Sequence, residues 1–315
     1  MSEPAALEMT DADESFRRLV ERLSRQSVEK YYTAYEDIPW DEPGFEIDPA
    51  DPRWEAVVDD GLRATEWYSN LPQQERSRLG LCLAANFMKI GLQFENVLQR
   101  GLLEFSFRLP NGDPKFRYAY HETIEEAQHT LMFQEFVNRS GFDVPGLPRR
   151  FTPAVRFVVL LARWFPELFF VFVLGGEDPI DHRQRAALRA RAALPPILER
   201  IIRIHVTEEA RHLSFARNYL RLHVPKAGPV RRAILSVGAP VVLGVMAQLM
   251  MRPSPFVVRE FAIPRSALRK AYDDNPAHRA GVAESLSKVR RLCGELGLVN
   301  PVSKMIWRVL GIWSD

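Results

Sequence analysis

The apolar residues of this chain recur at spacings of three and four positions over most of its length, which is the period of helices that bury one face. A first core helix is predicted from Pro72 to Leu109, where the turn-forming run 110–114 ends it. A second is predicted from about Lys115 to Ser140, closed by Gly141, a residue suited to a helix C-terminus. Because the link between them is short, these two helices are expected to lie antiparallel.

Further apolar runs predict more helices and no strand. A third core helix is predicted over Ala154–Leu174, interrupted or kinked at Gly175–Pro179, and a fourth from about Pro195 through Leu222. Additional helices are predicted near 233–251, 276–296 and 302–312. The fold class predicted is therefore all-α, a four-helix bundle with additional helices.

The composition of the chain excludes some classes of binding partner. The 315 residues carry 42 Lys and Arg against 40 Asp and Glu, a net charge of +2 that gives no electrostatic footprint for nucleic acid. The two cysteines, Cys82 and Cys293, form neither a disulfide framework nor a metal-binding pair, which favours a reducing compartment and a cytoplasmic location. Residues 1–15 are expected to form a disordered tail, and residues 16–315 a single helical domain.

One segment is long enough to raise the question of a membrane. Residues 233–251 run for nineteen positions without a charge, which is just enough to span a bilayer. Pro240 lies in the middle of the segment, with Gly238 and Gly244 beside it, and large helical proteins often bury one helix that is apolar all round. Membrane contact is an alternative that this pattern does not favour.

Two Glu-x-x-His pairs carry the candidate chemistry: Glu126 with His129, and Glu209 with His212, each in the middle of a predicted helix. A spacing of three residues leaves the two side chains about 60° apart on one helix face, so both can bind a single metal ion. His205 precedes Glu209 by four residues and lies on the same face, where it adds a further nitrogen donor.

Two single glutamates complete an ordered set. Glu95 lies in the first core helix and Glu177 ends the aromatic-rich third one. Ferritin-like di-iron bundles take a lone glutamate from each of two helices and Glu-x-x-His from each of the other two, and that order is present here. Glu104, nine residues after Glu95 and on nearly the same face, is the competing carboxylate. Glu125 and Glu208 adjoin the paired glutamates, turned about 100° off the ligand face, so they are expected at the surface or behind the ligands.

Carboxylate and imidazole donors without a thiolate favour iron or manganese over a structural zinc site. Two iron ions are expected, with manganese as the alternative. Two such metals bridged by carboxylates can reduce dioxygen by two electrons and oxidise a nearby organic molecule. The expected partners are therefore a small-molecule substrate, dioxygen and an external electron donor. Aromatic residues around Glu177 are candidates for a dry pocket wall, and equally for core packing.

A resemblance to a known family adds to this pattern. The stretches Lys89–Glu95, Glu122–His129 and His205–Ala216, with the arm Ile38–Pro43, resemble the p-aminobenzoate N-oxygenase family of di-iron proteins, over most of residues 30–225. That family has one histidine beyond the standard ferritin-like set, and His205 occupies the matching place. The metal ligands implied by the resemblance are Glu95, Glu126, His129, Glu177, His205, Glu209 and His212. The resemblance also implies oxidation of an aromatic amine to hydroxylamine, nitroso or nitro products, and a homodimer.

The sequence therefore predicts a di-iron oxygenase, a monooxygenase of the N-oxygenase type, in which His205 takes part in catalysis by tuning the reactivity of the metals. Three other functions stay open. The same metals could hydroxylate or desaturate a lipid-like apolar substrate, which the apolar segment 233–251 favours slightly. The chain could instead store or bind metal without an organic substrate, or be a membrane-associated protein with a structural metal. The additional imidazole of His205 argues against storage.

Overall fold

The computed structural model describes residues 10–190 and 193–313, and within those ranges every regular element is helical. The α-helices of these ranges are, in chain order, α1 (Asp11–Glu29), α2 (Asp60–Arg63), α3 (Glu66–Ser69), α4 (Gln73–Ser106), α5 (Pro114–Ser140), α6 (Thr152–Trp164), α7 (Pro166–Arg189), α8 (Pro196–His223), α9 (Pro229–Met250), α10 (Pro255–Glu260), α11 (Arg265–Leu268), α12 (Pro276–Ser285), α13 (Ser287–Glu295) and α14 (Pro301–Val309). The predicted all-α fold is confirmed.

Helices α4, α5, α7 and α8 form the central bundle. The pair α4 and α5 is antiparallel, since Lys89 Nζ donates to Gln134 Oε1 at 2.9 Å and, further along α4, Gln99 Nε2 donates to Thr130 Oγ1 at 2.9 Å. The pair α7 and α8 is antiparallel as well, since Asp178 pairs with Arg217 while Gln184 contacts His205. This is the arrangement of a ferritin-like bundle.

Local signals set the ends of α5 as the sequence predicts. The Asp113 side chain accepts a hydrogen bond from the Lys115 amide, and Pro114 occupies the first turn, where its missing N–H costs nothing. At the other end Gly141 adopts a φ of +77°, which a residue with a side chain adopts only with strain. Helix α5 therefore begins at a proline and is followed by a glycine, and its bounds are close to the predicted Lys115–Ser140.

The predicted third core helix is wrong in its bounds. Helix α6 ends at Trp164 and α7 begins at Pro166. Phe165 between them has an extended φ of −145°, because a helical conformation is disfavoured for the residue before a proline. Helix α7 then continues through Gly175–Pro179 without interruption. The glycines are needed for packing rather than for a break: a Cβ at Gly176 would overlap the Phe94 ring of α4. Glu177 therefore lies in the middle of a helix and not at its end.

The remaining long helices cover the bundle. Helix α1 lies across α5 and α8, with the Phe16 ring 5.9 Å from the Phe215 ring, while α6 packs on α4. Helix α9 packs on α7, and α14 packs on α9. Within the described ranges, α9 is the helix long and apolar enough to cross a membrane, and half of its apolar stretch is buried inside the protein.

The two ends of the chain differ in detail from the sequence predictions. The helix predicted near 276–296 is divided at Leu286 into α12 and α13. Helix α1 begins at Asp11, and residues 1–9 lie outside the described ranges. The division into a tail of residues 1–15 and a single domain of residues 16–315 stays a prediction.

Candidate metal centre

The four bundle helices bring all seven predicted ligands into one cluster. Helix α4 supplies Glu95, α7 supplies Glu177, and the other five come from α5 and α8; none of the seven has solvent-exposed surface. Ligand atoms of Glu95, His129, His205 and Glu209 lie within 4.8 Å of one another, as do those of Glu95, Glu126 and Glu177. His212 completes the set through Glu126 and Glu209.

The distances between these atoms suit a shared cation. His129 Nδ1 lies 3.2 Å from Glu126 Oε2 and 3.4 Å from Glu209 Oε1. His212 Nδ1 lies 3.1 Å from an oxygen of each of the same two glutamates. His205 Nε2 lies 3.4 Å from Glu95 Oε1. Ligands bonded to one metal at about 2 Å are themselves separated by roughly 3 Å, so the spacing is that of a metal-binding set.

The nitrogens that point away from the cluster are hydrogen-bonded. His129 Nε2 lies 3.0 Å from Glu208 Oε2, and His212 Nε2 lies 2.7 Å from Glu125 Oε2. A carboxylate only accepts, so each ring donates from Nε2, and the Nδ1 atom that faces the cluster would offer its lone pair to a metal ion once its proton is displaced. Arg211 Nη2 donates to Glu125 at 2.9 Å and to Glu208 at 3.4 Å, which joins the two pairs.

His205 is held in the opposite orientation. Its Nδ1 donates to Gln184 Oε1 at 2.9 Å, and its Nε2 faces Glu95 and Glu209. Burial lowers the pKa of His205 well below its usual value, and the charge of His129 lowers it further. His205 therefore presents a neutral ring with a free lone pair to the cluster.

Without a cation the cluster must hold protons. Burial raises the pKa of Glu95 and Glu177 well above the ordinary value, and neighbouring carboxylates raise both further. Burial opposes charge on His129, but its hydrogen bonds to Glu126 and Glu208 outweigh that effect and raise its pKa to about 10. Such shifts mark a dry site with an excess of negative charge.

Buried oxygens without partners point to the same need. Among the described residues these include Glu95 Oε2, Glu209 Oε2 and both carboxylate oxygens of Glu177. Removing an unpaired carboxylate from water costs several kcal/mol unless a cation or donors compensate. Two divalent cations would satisfy these oxygens, and the residues present therefore fit a two-metal centre.

Comparison with known proteins assigns the chain that carries this cluster to a family. The family model "P-aminobenzoate N-oxygenase AurF" matches residues 13–297. The chain belongs to the AurF family. Its relatives include the uncharacterized protein Rv0885 of Mycobacterium tuberculosis and the uncharacterized protein Mb0909 of Mycobacterium bovis, each 39% identical over 300 residues, 95% of this chain and 88% of the relative. No solved structure gives a significant match.

Membership in the AurF family has direct consequences. The family implies an oxygenase that binds metal and acts on a small molecule with dioxygen, and AurF-type proteins are di-iron enzymes. The match to residues 13–297 extends beyond the stretch of residues 30–225 over which the sequence resemblance was apparent. The buried Glu and His groups of this chain are compatible with such a centre.

Glu104, the competing carboxylate of α4, lies apart from the cluster. It is about one third exposed, and its Oε2 lies 3.7 Å from Arg163 Nη1 on α6. Glu125 and Glu208, expected at the surface or behind the ligands, are buried behind the histidines. The aromatic residues near Glu177 pack against one another, with the Phe94 and Phe172 rings 5.2 Å apart.

Sequence reasoning missed one acid of the cluster. Glu122 is buried, and its carboxylate lies within 4.8 Å of ligand atoms of Glu126 and His212. Burial raises the pKa of Glu122 to about 8. The signal was present, because Glu122 precedes Glu126 by four residues and therefore shares its helix face.

Proposed function

We propose that this protein is a di-iron oxygenase that uses dioxygen to oxidise the nitrogen of an amine of the arylamine type. The family supplies the chemical class, since its named member type is a p-aminobenzoate N-oxygenase. The convergence of four glutamates and three imidazoles in a dry site supports the assignment most directly. The relatives carry no activity in their names, so the substrate rests on the family and on the site.

The residues that would hold the two irons are Glu95, Glu126, His129, Glu177, His205, Glu209 and His212. Glu126 and Glu209 each lie near both His129 and His212, so these two glutamates are placed to serve either metal. When bound in the reduced state, an iron pair supplies the electrons that activate dioxygen.

The surrounding side chains orient those ligands. Glu208 and Glu125 each accept from one histidine of the opposite helix, which fixes its tautomer and raises its basicity as a ligand. Arg211 compensates the charge of both carboxylates where no bulk water reaches them. Gln184 does the same for His205 with a neutral acceptor. We therefore assign His205 a role in catalysis as a neutral nitrogen donor.

The proposal is tested on the iron-loaded protein. The protein is reconstituted anaerobically with ferrous iron, reduced chemically, exposed to oxygen with a panel of arylamines, alkylamines and fatty acids, and the products are identified by mass. Hydroxylamine, nitroso or nitro products of an amine are expected. The matched control is Glu104→Ala, which alters a carboxylate of α4 outside the cluster.

Other products would decide between the alternatives. A hydroxylated or unsaturated fatty acid, with amines unchanged, would replace N-oxygenation by carbon oxidation. Iron oxidised and mineralised without any change in an organic molecule, in wild type and His205→Ala alike, would make the protein a storage protein and contradict the enzyme assignment.

A further inference from the structure

Three helices, α6, α9 and α14, expose large apolar side chains to solvent. The exposed apolar residues are Phe157, Leu160 and Trp164 on α6, Val230, Ile234, Val237, Val241 and Val245 on α9, and Val302, Met305 and Val309 on α14. On each helix they recur at spacings of three and four, so each forms a stripe along one side. We call these residues the α6–α9–α14 face.

The stripes belong to neighbouring helices. Leu310, which follows α14, packs against Gly244 of α9, and Arg231 at the start of α9 donates to the carbonyl of Trp164 at the end of α6. From Val230 to Val245 the stripe of α9 alone runs about 22 Å. Contiguous apolar surface of this extent marks a binding surface in a folded protein.

The charges on these helices have one sign. Together α6, α9 and α14 contain six basic residues and no Asp or Glu, the six being Arg156, Arg163, Arg231, Arg232, Lys304 and Arg308. Arg163 lies 3.7 Å from Glu104 and Arg231 lies 3.6 Å from Glu167, and both acids belong to neighbouring helices. The three helices therefore carry a formal charge of +6, within a chain whose net charge is +2.

The geometry of α9 excludes a simple crossing of the bilayer. Its other side is buried on α7, where Leu243 and Met246 contact Gly175. A helix with one apolar side in the protein core and another in solvent, flanked by basic residues, suits a position parallel to a membrane surface. Trp164 is more than half exposed and lies beneath the guanidinium groups of Arg108 and Arg163, at 5.0 and 5.2 Å, a combination typical of the headgroup level.

A second copy of the chain fits this face less well. A twofold interface brings the same patch of both subunits together, so basic residues of α6, α9 and α14 would face their own copies, and these helices contain no Asp or Glu. Anionic headgroups, in contrast, complement them. At the α14 end of the face, a groove of about 570 Å³ is lined in part by Lys304, Met305, Arg308 and Trp313.

We propose that the α6–α9–α14 face docks reversibly on the surface of an anionic phospholipid bilayer, with α9 lying in the plane of the interface. The apolar stripes enter the boundary between headgroups and acyl chains, and the basic residues contact the headgroups. This proposal does not depend on the metals or on the oxidation that they support.

Vesicle flotation with the full-length protein tests this docking. Wild type is expected to float with vesicles of phosphatidylcholine mixed with phosphatidylglycerol, to bind pure phosphatidylcholine weakly, and to dissociate as salt is raised. The double variant Ile234→Glu, Val241→Glu should bind at least about tenfold less tightly, because it places charge where apolar side chains enter the bilayer. The control Val28→Glu, Leu131→Glu changes two similarly exposed apolar residues outside the face and should bind like wild type.

Three further measurements make the result decisive. Circular dichroism establishes that the variants fold, and Arg156→Glu, which keeps the apolar face intact, should still lower binding to anionic vesicles several-fold. Light scattering reports the oligomeric state. The proposal would be overturned if wild type did not bind anionic vesicles, or if the double variant Ile234→Glu, Val241→Glu bound them as tightly as wild type. It would also be overturned if wild type were a dimer that did not bind vesicles and the double variant were a monomer.

Discussion

Helices α5 and α8 carry the same local motif across the cluster, yet they differ at one position of the ligand face. Both contain Glu-Glu-x-x-His, and in both the first glutamate hydrogen-bonds the histidine of the other helix. Four residues before the second glutamate, however, α5 has Glu122 and α8 has His205. The shared motif accounts for a paired metal centre, and the difference makes its two sides unequal.

The inequality is one of charge as well as of donor type. Burial keeps the imidazole of His205 neutral, whereas it raises the pKa of the Glu122 carboxyl to about 8. One side of the cluster therefore offers a neutral nitrogen, and the other an acid that holds a proton more readily than usual. Chemistry that needs the two metals to behave differently has a structural basis in this pair of residues.

The largest effect is expected from removing the carboxylate that faces His205. Glu95→Ala should abolish occupancy by two metals, because the ligand atoms of Glu95 lie within 4.8 Å both of those of His129, His205 and Glu209 and of those of Glu126 and Glu177. Glu104→Ala should leave two metals bound. Elemental analysis after anaerobic iron loading and desalting measures both. Retention of two metals by Glu95→Ala, with loss in Glu104→Ala, would show that the register of α4 at the site is wrong.

The next effect compares the two unequal positions directly. His205→Ala should lower product formation by about 100-fold while reducing iron content much less, since it removes a neutral donor that tunes a metal. Glu122→Gln keeps the shape of the side chain and should lower product formation by less than about tenfold. Single-turnover product yields, normalised to bound iron, provide the comparison. Equal losses in the two variants would remove the distinction between the two sides.

Hydrogen bonds across the helices should matter for affinity. Glu125→Gln and Glu208→Gln should each weaken metal binding by about 10 to 100-fold, because the outer nitrogen of one histidine loses its charged acceptor. Glu199→Gln is the matched control, since Glu199 is a partly exposed residue of α8 that pairs with Arg203. Competition with a chelator measures the affinities. A similar affinity in all three variants would leave the hydrogen bonds without a role in binding.

The smallest effect is a pH dependence of the metal-free protein. The folded pKa values of Glu122, about 8, and His129, about 10, both exceed their unfolded values of 4.5 and 6.5, so the folded state binds more protons. The stabilisation is complete below the unfolded pKa values and is lost as pH rises through the folded ones, at up to about 1.4 kcal/mol per pH unit for each group. The Tm of chelator-treated protein should therefore fall from about pH 5 to pH 9, and bound iron should flatten the profile. A Tm that rises with pH over this range would contradict the assignment.

Much of the fold and site was accessible from the sequence because the relevant signals are local. Proline and glycine at the ends of α5, together with helical spacing of glutamate and histidine, predicted both the helix and the face that carries its ligands. The order of single and paired glutamates then predicted which helices meet.

What the sequence did not predict depends on contacts between distant residues. Gly175 and Gly176 were expected to interrupt a helix, yet they continue α7 because Leu243 and Phe94 pack directly on them. The roles of Glu125 and Glu208 follow from histidines 87 and 79 residues away, which no periodicity shows. Glu122 lies outside the Glu-x-x-His pattern, one helical turn before Glu126, so that pattern does not predict its place in the cluster.

Anomalous diffraction at the iron edge from crystals loaded with ferrous iron tests the central claim most directly. Two iron peaks per chain are expected between α4, α5, α7 and α8, with His205 Nε2 about 2 Å from one of them and no imidazole of α5 at the equivalent position of the other. A single peak, no peak, or two peaks that leave His205 unbound would contradict a two-iron centre with unequal sides.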